Sequence, residues 1–284
     1  MNENANNHPK IVVIARCKNE MENLPLWFEN KTFCDHFVMT DNESTDGSTE
    51  YLKSRHDVTF AAVKGFDEGR DFQVLLRLAR SVSADWVFKF DCDEFVGDDF
   101  GDQVKLIIKQ SHFDCVMLRK VSKHFSLPVS RCFLTREYWN GGVYGVRLTD
   151  RINIRDQKIH VGSFHFYRRP VLLPALVTHF WVRSAADAEE RAETYARADG
   201  GKRYKVKSEV DASRAVNYED AVEGRFKSLR QYGVQFMERA DENFRAQRPA
   251  FNRIFCRWMI KKWCWSILVF AKLSNIYLQL SNRS

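Results

Sequence analysis

No stretch of the 284-residue chain is apolar for long enough to cross a bilayer. The longest late apolar run, Trp263 to Ala271, is closed by Lys262 and Lys272 and falls well short. The opening "MNENANNHPK" lacks the apolar core of a secretory leader, and residues 1–9 read as a disordered lead. Paired cysteines are missing as well. The seven cysteines (17, 34, 92, 115, 132, 256 and 264) are odd in number and scattered, with no CxxC or zinc spacing. That pattern argues against a disulfide framework and for free thiols in a reducing cytosol, so the expected location is cytoplasmic, with the inner membrane face as the peripheral alternative. Internal repeats and low-complexity tracts are absent. So is any recognisable nucleic-acid module or dense Lys/Arg helix with interleaved aromatics, which removes nucleic acid from the expected partners.

What is present is the composition of a globular protein, 44% hydrophobic and 29% charged. A net charge of +7 and a pI near 9.0 suit an anionic partner: a nucleotide, a phosphorylated lipid or a membrane surface.

The first hundred residues alternate strand and helix patterns. "KIVVIAR" (10–16) reads as a buried strand and 20–31 as a helix with Pro25 in its first turn, followed by a strand over 35–40. Ser, Thr and Asp caps precede a short helix in "ESTDGSTEYLKSR", and 57–63 is a third strand. Phe72, Leu75, Leu76 and Ala79 recur at helical spacing before a fourth strand, 85–90. This order predicts an α/β fold with an open, mostly parallel, Rossmann-like sheet and flanking helices. A helix near 101–111 and a strand "FDCVMLRKV" follow, then short strands and long loops over 125–170. A charged helix over 184–199 is capped by Ser184, and 217–246 reads as helical.

Ligands of open α/β sheets bind beyond the carboxyl ends of the strands. Three polar motifs fall at such ends: Arg16–Glu20, Asp41–Asp46 and Asp91–Glu94. In "FKFDCDEFV", Asp91 and Asp93 stand two apart, so an extended strand would present both carboxylates to one side. Two close carboxylates resist joint ionisation unless a cation compensates, and a hard divalent ion, Mg²⁺ or Mn²⁺, suits oxygen ligands and phosphate alike. Taken alone, the motif equally describes a solvated acidic turn. Cys92 reads as a small packed residue, and Glu94 with Phe95 as anchors of the turn.

Together "IARCKNE", "CDHFVMTDNESTDGSTEYL" and "ADWVFKFDCDEFV" resemble the nucleotide-binding half of family 2 glycosyltransferases. The likeness is to the branch reading A-R-N-E, D-N-x-S-x-D-G and D-x-D-E-F. It covers residues 10–100 and returns at "VTHFWVRSAADAEERAETYARA" (177–198). The resemblance implies a GT-A fold and a metal-dependent, inverting transferase of the hexosyltransferase type. Such an enzyme would move sugar from a nucleotide-sugar donor to a surface glycan or lipid-linked acceptor. By position it places Arg16, Asn19 and Glu20 beside the nucleotide and Asp41 with Asn42 on base and ribose. Gly69, Arg70, Asp71 and Gln73 would approach the donor from the side. Asp91 would contact ribose or metal, Asp93 would ligate the metal, and His179 would complete its shell or touch phosphate. The chain departs from the pattern by carrying Cys17-Lys18 where one residue commonly precedes the Asn.

An inverting transfer also needs a base for the acceptor hydroxyl. Asp150 is the favoured candidate, with Asp156, Glu137 and Asp187 as competitors. His160 and His165 lack a zinc spacing and read as packing residues. Residues 10–200 are expected to form the catalytic domain, with 10–100 as nucleotide half and 101–200 as acceptor half. Residues 201–284 are expected to form a helical extension. In 249–280, Trp and Phe alternate with Arg and Lys, which fits either a helix on an anionic membrane surface or one docked on the domain. The rival readings are a phosphotransferase or phosphatase using the D-x-D motif, and a non-catalytic anion- or membrane-binding protein.

Overall fold

The computed structural model describes residues 8–154, 164, 165, 167–198 and 212–222. Its strands are β1 (Ile11–Cys17), β2 (His36–Asp41), β3 (Val58–Ala62), β4 (Trp86–Lys89) and β5 (Glu94–Val96), then β6 (Cys115–His124), β7 (Arg131–Leu134), β8 (Gly142–Arg147), β9 (Pro170–Val182) and β10 (Val216–Asn217). The helices are α1 (Leu24–Glu29), α2 (Ser48–Ser54), α3 (Glu68–Ser81), α4 (Phe100–Ile108), α5 (Arg136–Asn140) and α6 (Ala185–Ala198).

The open α/β sheet expected from the sequence is present. Strands β3, β2, β1 and β4 lie side by side and parallel, each lengthened or trimmed by a residue or two relative to the sequence pattern. Ile11 to Ala15 are fully buried because both faces of β1 are covered, as parallel strands require. Ile11, Val13 and Ala15 join one core with Trp27, Phe28, Phe88 and Phe100, while Val12 and Ile14 join another with Phe72, Leu75, Leu76 and Ala79. Helix α3 therefore packs on β1 and β2 through the stripe its spacing announced. Its first turn is capped by Asp67, whose side chain accepts from the Arg70 N–H.

Beyond β4 the sheet turns antiparallel, through β8, then β6 and β7. Gly145 lies opposite Phe88, and a Cβ there would come within 2.3 Å of the ring, so the residue is held to glycine by close approach. The thirteen-residue β9 fills a stretch between the loops expected up to residue 170 and the helix expected from 184, for which the sequence pattern assigns no element. It runs parallel to β6, and its far end pairs antiparallel with the short β5, setting Glu94 against His179. That pairing delivers the His179 segment to the acidic turn.

Residues 212–222 return to the sheet: β10 pairs with β7, and Ala221 shares a small core with Tyr138 and Leu176. The remainder of the expected helical extension, including 249–280, lies outside the described residues, as do 1–7. No helix among the described residues is long and apolar enough to cross a membrane.

Candidate functional site

The carboxyl ends of β1, β2 and β4 open into a cleft of about 440 Å³, closed on its far side by the end of β9 and by α6. Asp91, Cys92 and Asp93 enter it as a tight turn, not as an extended strand, because the Glu94 N–H donates to the Asp91 carbonyl at 3.0 Å. Glu94 holds that turn. One carboxylate oxygen accepts from the Asp91 N–H, and the other from Tyr144 Oη–H at 3.2 Å and Lys120 Nζ at 3.3 Å. The Cys92 thiol is buried and donates to the Arg16 carbonyl. Both the anchoring role of Glu94 and the packed role of Cys92 match the sequence reading.

Asp93 is only 3% exposed and sits at the centre of a charged network. Its Oδ2 accepts from Arg191 Nη2 at 3.1 Å, and its Oδ1 faces His179 Nε2 at 3.5 Å. The second distance is too long for a strong hydrogen bond, and Oδ1 accepts none among the described residues. Burial works against the Asp93 charge, but His179 and Arg191 hold its carboxyl well below the usual range. Burial pushes the His179 imidazole down, while Asp93 more than offsets this and raises it overall. On the other side of the network, Glu20 accepts from Arg183 Nη1 at 3.3 Å and from Asn23 at 2.8 Å. Burial first, then the neighbouring Asp93 charge, lifts the Glu20 carboxyl to about 7, with both arginines opposing.

The end of β9 and helix α6 with the turn before it supply the cations. Ser184 caps the helix by accepting from the Asp187 N–H at 3.1 Å, and Asp187 reaches back to the Arg183 N–H at 3.0 Å. Asp187 then accepts from Arg191 Nε at 3.0 Å. Asp187 and Arg191 stand four apart on one face of α6, and Arg183, just before the helix cap, reaches the same cleft. The sequence pattern offers Asp187 only as a base and does not single out Arg183, Arg191, Trp181 or Tyr195. The i, i+4 charge spacing was the available signal.

At the opposite end, Arg16 donates to Glu68 at 2.9 Å and lies over the rings of Phe66 and Phe72. Asn42 is buried, with its amide donating to the Gly65 carbonyl and to Asp71 Oδ2. Asn19 adopts a left-handed φ of 53°, which Asn tolerates. Its Oδ1 accepts from the Thr45 N–H, and its amide donates to Glu190 of α6. Asn19 thus staples the 43–45 loop to the helix.

Of the expected site residues, Arg16, Asn19, Glu20, Asn42, Asp91, Asp93 and His179 all line the cleft. Asp41 does not. Its carboxylate is turned into its own loop, where it accepts from the Ser44 N–H, the Ser44 hydroxyl and Thr49 Oγ1. Gln73 is also turned away and donates to Asn153 and the Ile154 carbonyl. Arg70 ties the start of α3 to the Lys64 and Gly65 carbonyls. Asp150 is exposed at the other edge of the sheet, since β8 runs antiparallel to β4 and Leu148 pairs with Asp85 at the start of β4. The structure does not bring Asp150 to the cleft. Asp156 and His160 lie outside the described residues, and His165 pairs by its backbone with Asn153.

For a divalent cation, the open Asp93 Oδ1 with His179 Nε2 beside it is a fitting pair of donors, and Asp91 lines the same cleft. Among the described residues no three His, Cys, Asp or Glu side chains converge to hold an ion by themselves. An ion here would complete its shell with phosphate oxygens and water, as Mg²⁺ ordinarily does.

No family model matches the chain, and no curated protein matches it. Among solved structures, Staphylococcus aureus TarS residues 1–349 in complex with UDP aligns at 15% identity. That alignment covers 86% of this chain and 80% of that one, with a TM-score of 0.42. The same protein with UDP-GlcNAc aligns at 18% identity and a TM-score of 0.34, over 43% of this chain and 37% of that one. A longer TarS structure aligns at 19% and 0.32. The chain thus spans 37% and 23% of the first two TarS chains. Identities and scores this low leave the site to be argued from its own geometry.

Proposed function

We propose that the cleft binds a nucleotide-sugar donor and transfers its sugar to a hydroxyl acceptor in a single displacement that inverts the anomeric centre. The observation that carries this reading is the polarity of the cleft. One end offers uncharged and aromatic partners for a nucleoside, Asn42 and Phe66. The other places His179 and Arg191 on the buried Asp93 carboxylate and Arg183 on Glu20 beside it, a setting for a diphosphate. A divalent cation held by Asp93 and His179, with Asp91 alongside, would supply Lewis-acid stabilisation of the charge that develops on the leaving diphosphate. The chain's own work is then positioning. Asp93 holds His179 and Arg191 in place, and α6 with the turn before it brings two guanidinium groups to where phosphate charge would lie. The two arginines also support an anionic ligand without reference to any metal.

Calorimetry with a panel of uridine, guanosine, thymidine and cytidine nucleotides and their sugar conjugates, with Mn²⁺ present, tests the reading. Saturable binding of one donor and its slow hydrolysis are expected, both weakened in Asp93→Asn. A folded sample that binds no member of the panel sinks the proposal.

A further inference from the structure

A second groove, of about 350 Å³, lies on the other side of the His179 side chain. It is lined by Lys120 and Ser122 of β6, Phe133 of β7, Thr135, and Glu137 of α5, and it shares His179 and Trp181 with the cleft. His179 is the partition between the two. Its Nε2 faces Asp93 Oδ1 in the cleft at 3.5 Å, while its Nδ1 faces Ser122 Oγ in the groove at 3.4 Å. The pairing of β5, β9 and β6 fixes this arrangement, since Glu94 and Ser122 are both register partners of His179. A molecule in the groove would therefore meet whatever occupies the Asp93 end of the cleft.

The lining describes the ligand. Two aromatic side chains, Phe133 and Trp181, offer flat apolar faces, and Ser122 and Lys120 offer polar groups beside them. This mixture suits a molecule with both C–H faces and hydroxyl edges. Thr135 is committed elsewhere, donating to the Lys120 carbonyl and capping α5. Glu137 is the carboxylate of the lining, half-buried, with no hydrogen bond to its side chain among the described residues.

We infer that this groove is the acceptor subsite, that it takes a carbohydrate hydroxyl, and that Glu137 receives the proton of that hydroxyl. The inference rests on the donor reading of the cleft. In the step it describes, the acceptor oxygen forms a bond to the anomeric carbon of the donor sugar. The bond from that carbon to the phosphate oxygen breaks, its electron pair stays on the nucleoside diphosphate, and the hydroxyl proton passes to the Glu137 carboxylate. Glu137 takes the place that Asp150 was expected to fill and that the antiparallel course of β8 denies it.

The test uses the full chain saturated with the donor found by calorimetry, or with its nucleoside diphosphate, and a series of p-nitrophenyl hexosides as acceptor probes. Saturation-transfer NMR reads probe binding, and product formation reads transfer. Binding of at least one hexoside is expected. Phe133→Ala should raise its KM about tenfold with kcat little changed. Glu137→Gln should lower kcat by a factor of about 10²–10⁴, the range for a lost general base, with KM little changed. If no nucleotide binds, the donor reading fails. If nucleotide binds but no hexoside does, or if Glu137→Gln transfers at the wild-type rate, the acceptor assignment fails while the donor reading stands.

Discussion

His179 Nε2 stands 3.5 Å from Asp93 Oδ1, across the join between β9 and the turn that follows β4. The two residues are 86 positions apart in the chain. Each perturbs the other: burial alone would push His179 down and Asp93 up, and their mutual attraction reverses both directions. Asp93→Asn should therefore lower the His179 pKa, read from imidazole proton shifts across pH 5–9. An unchanged His179 titration in the variant would mean that the pair does not interact in solution.

Arg191 bridges two carboxylates with different nitrogens, Nη2 to Asp93 and Nε to Asp187. Lysine offers a single point charge and cannot reproduce that fork. Arg191→Ala leaves Asp93 buried with only His179 opposite it and should destabilise the fold by about 3 kcal/mol in urea. Arg191→Lys is expected to recover less than half of that loss. Full rescue by lysine would show that charge alone is needed.

Two buried groups give the pH–stability curve its shape near neutrality. Glu20 is lifted from 4.5 to about 7, so between those values the folded state binds more protons than the unfolded one, and stability falls as pH rises. Lys31, buried with Nζ donating to the Glu94 carbonyl at 2.8 Å, is pushed down by burial from 10.5 to about 7. Between pH 7 and 10.5 the unfolded chain binds its proton and the folded one does not, so stability climbs again. The contribution of these two groups is thus lowest near pH 7. Glu20→Gln should flatten the acid side by roughly 2–3 kcal/mol, and Lys31→Met the alkaline side, in denaturation midpoints recorded from pH 5 to 9.5.

Asp41 organises its loop instead of reaching the cleft. Asp41→Ala strips the Ser44 N–H and Thr49 hydroxyl of their partner and should cost about 1–3 kcal/mol of stability. Nucleotide affinity should follow only as far as the loop loosens. A large affinity loss at full stability would restore Asp41 to direct contact with the base or ribose.

Gly145 faces the Phe88 ring so closely that an added methyl group cannot fit without moving β4 or β8. Gly145→Ala should destabilise by about 1–3 kcal/mol or more, with Phe88→Leu in the same chain recovering part of the loss. Thermal unfolding of the single and double variants checks both statements.

Much of the first hundred residues was legible because their signals are local. A β-branched run buried on both faces, a stripe at 3.6-residue spacing and the Asp46-Gly47 turn are each written within a dozen consecutive residues. The motif positions at strand ends follow from that order, and Arg16, Glu20, Asn42, Asp91 and Asp93 do line one cleft. What the sequence by itself determined is therefore the parallel frame and one wall of the site. The other wall was decided by pairings between distant segments. The 13-residue β9 runs beside β6 and bends its end onto β5, bringing His179 and Arg191 to Asp93 and Arg183 to Glu20. The antiparallel return of β8 sent Asp150 to the far edge instead. Strand direction and register depend on which hydrophobic faces can be buried together across the whole sheet, and only the folded chain makes that choice.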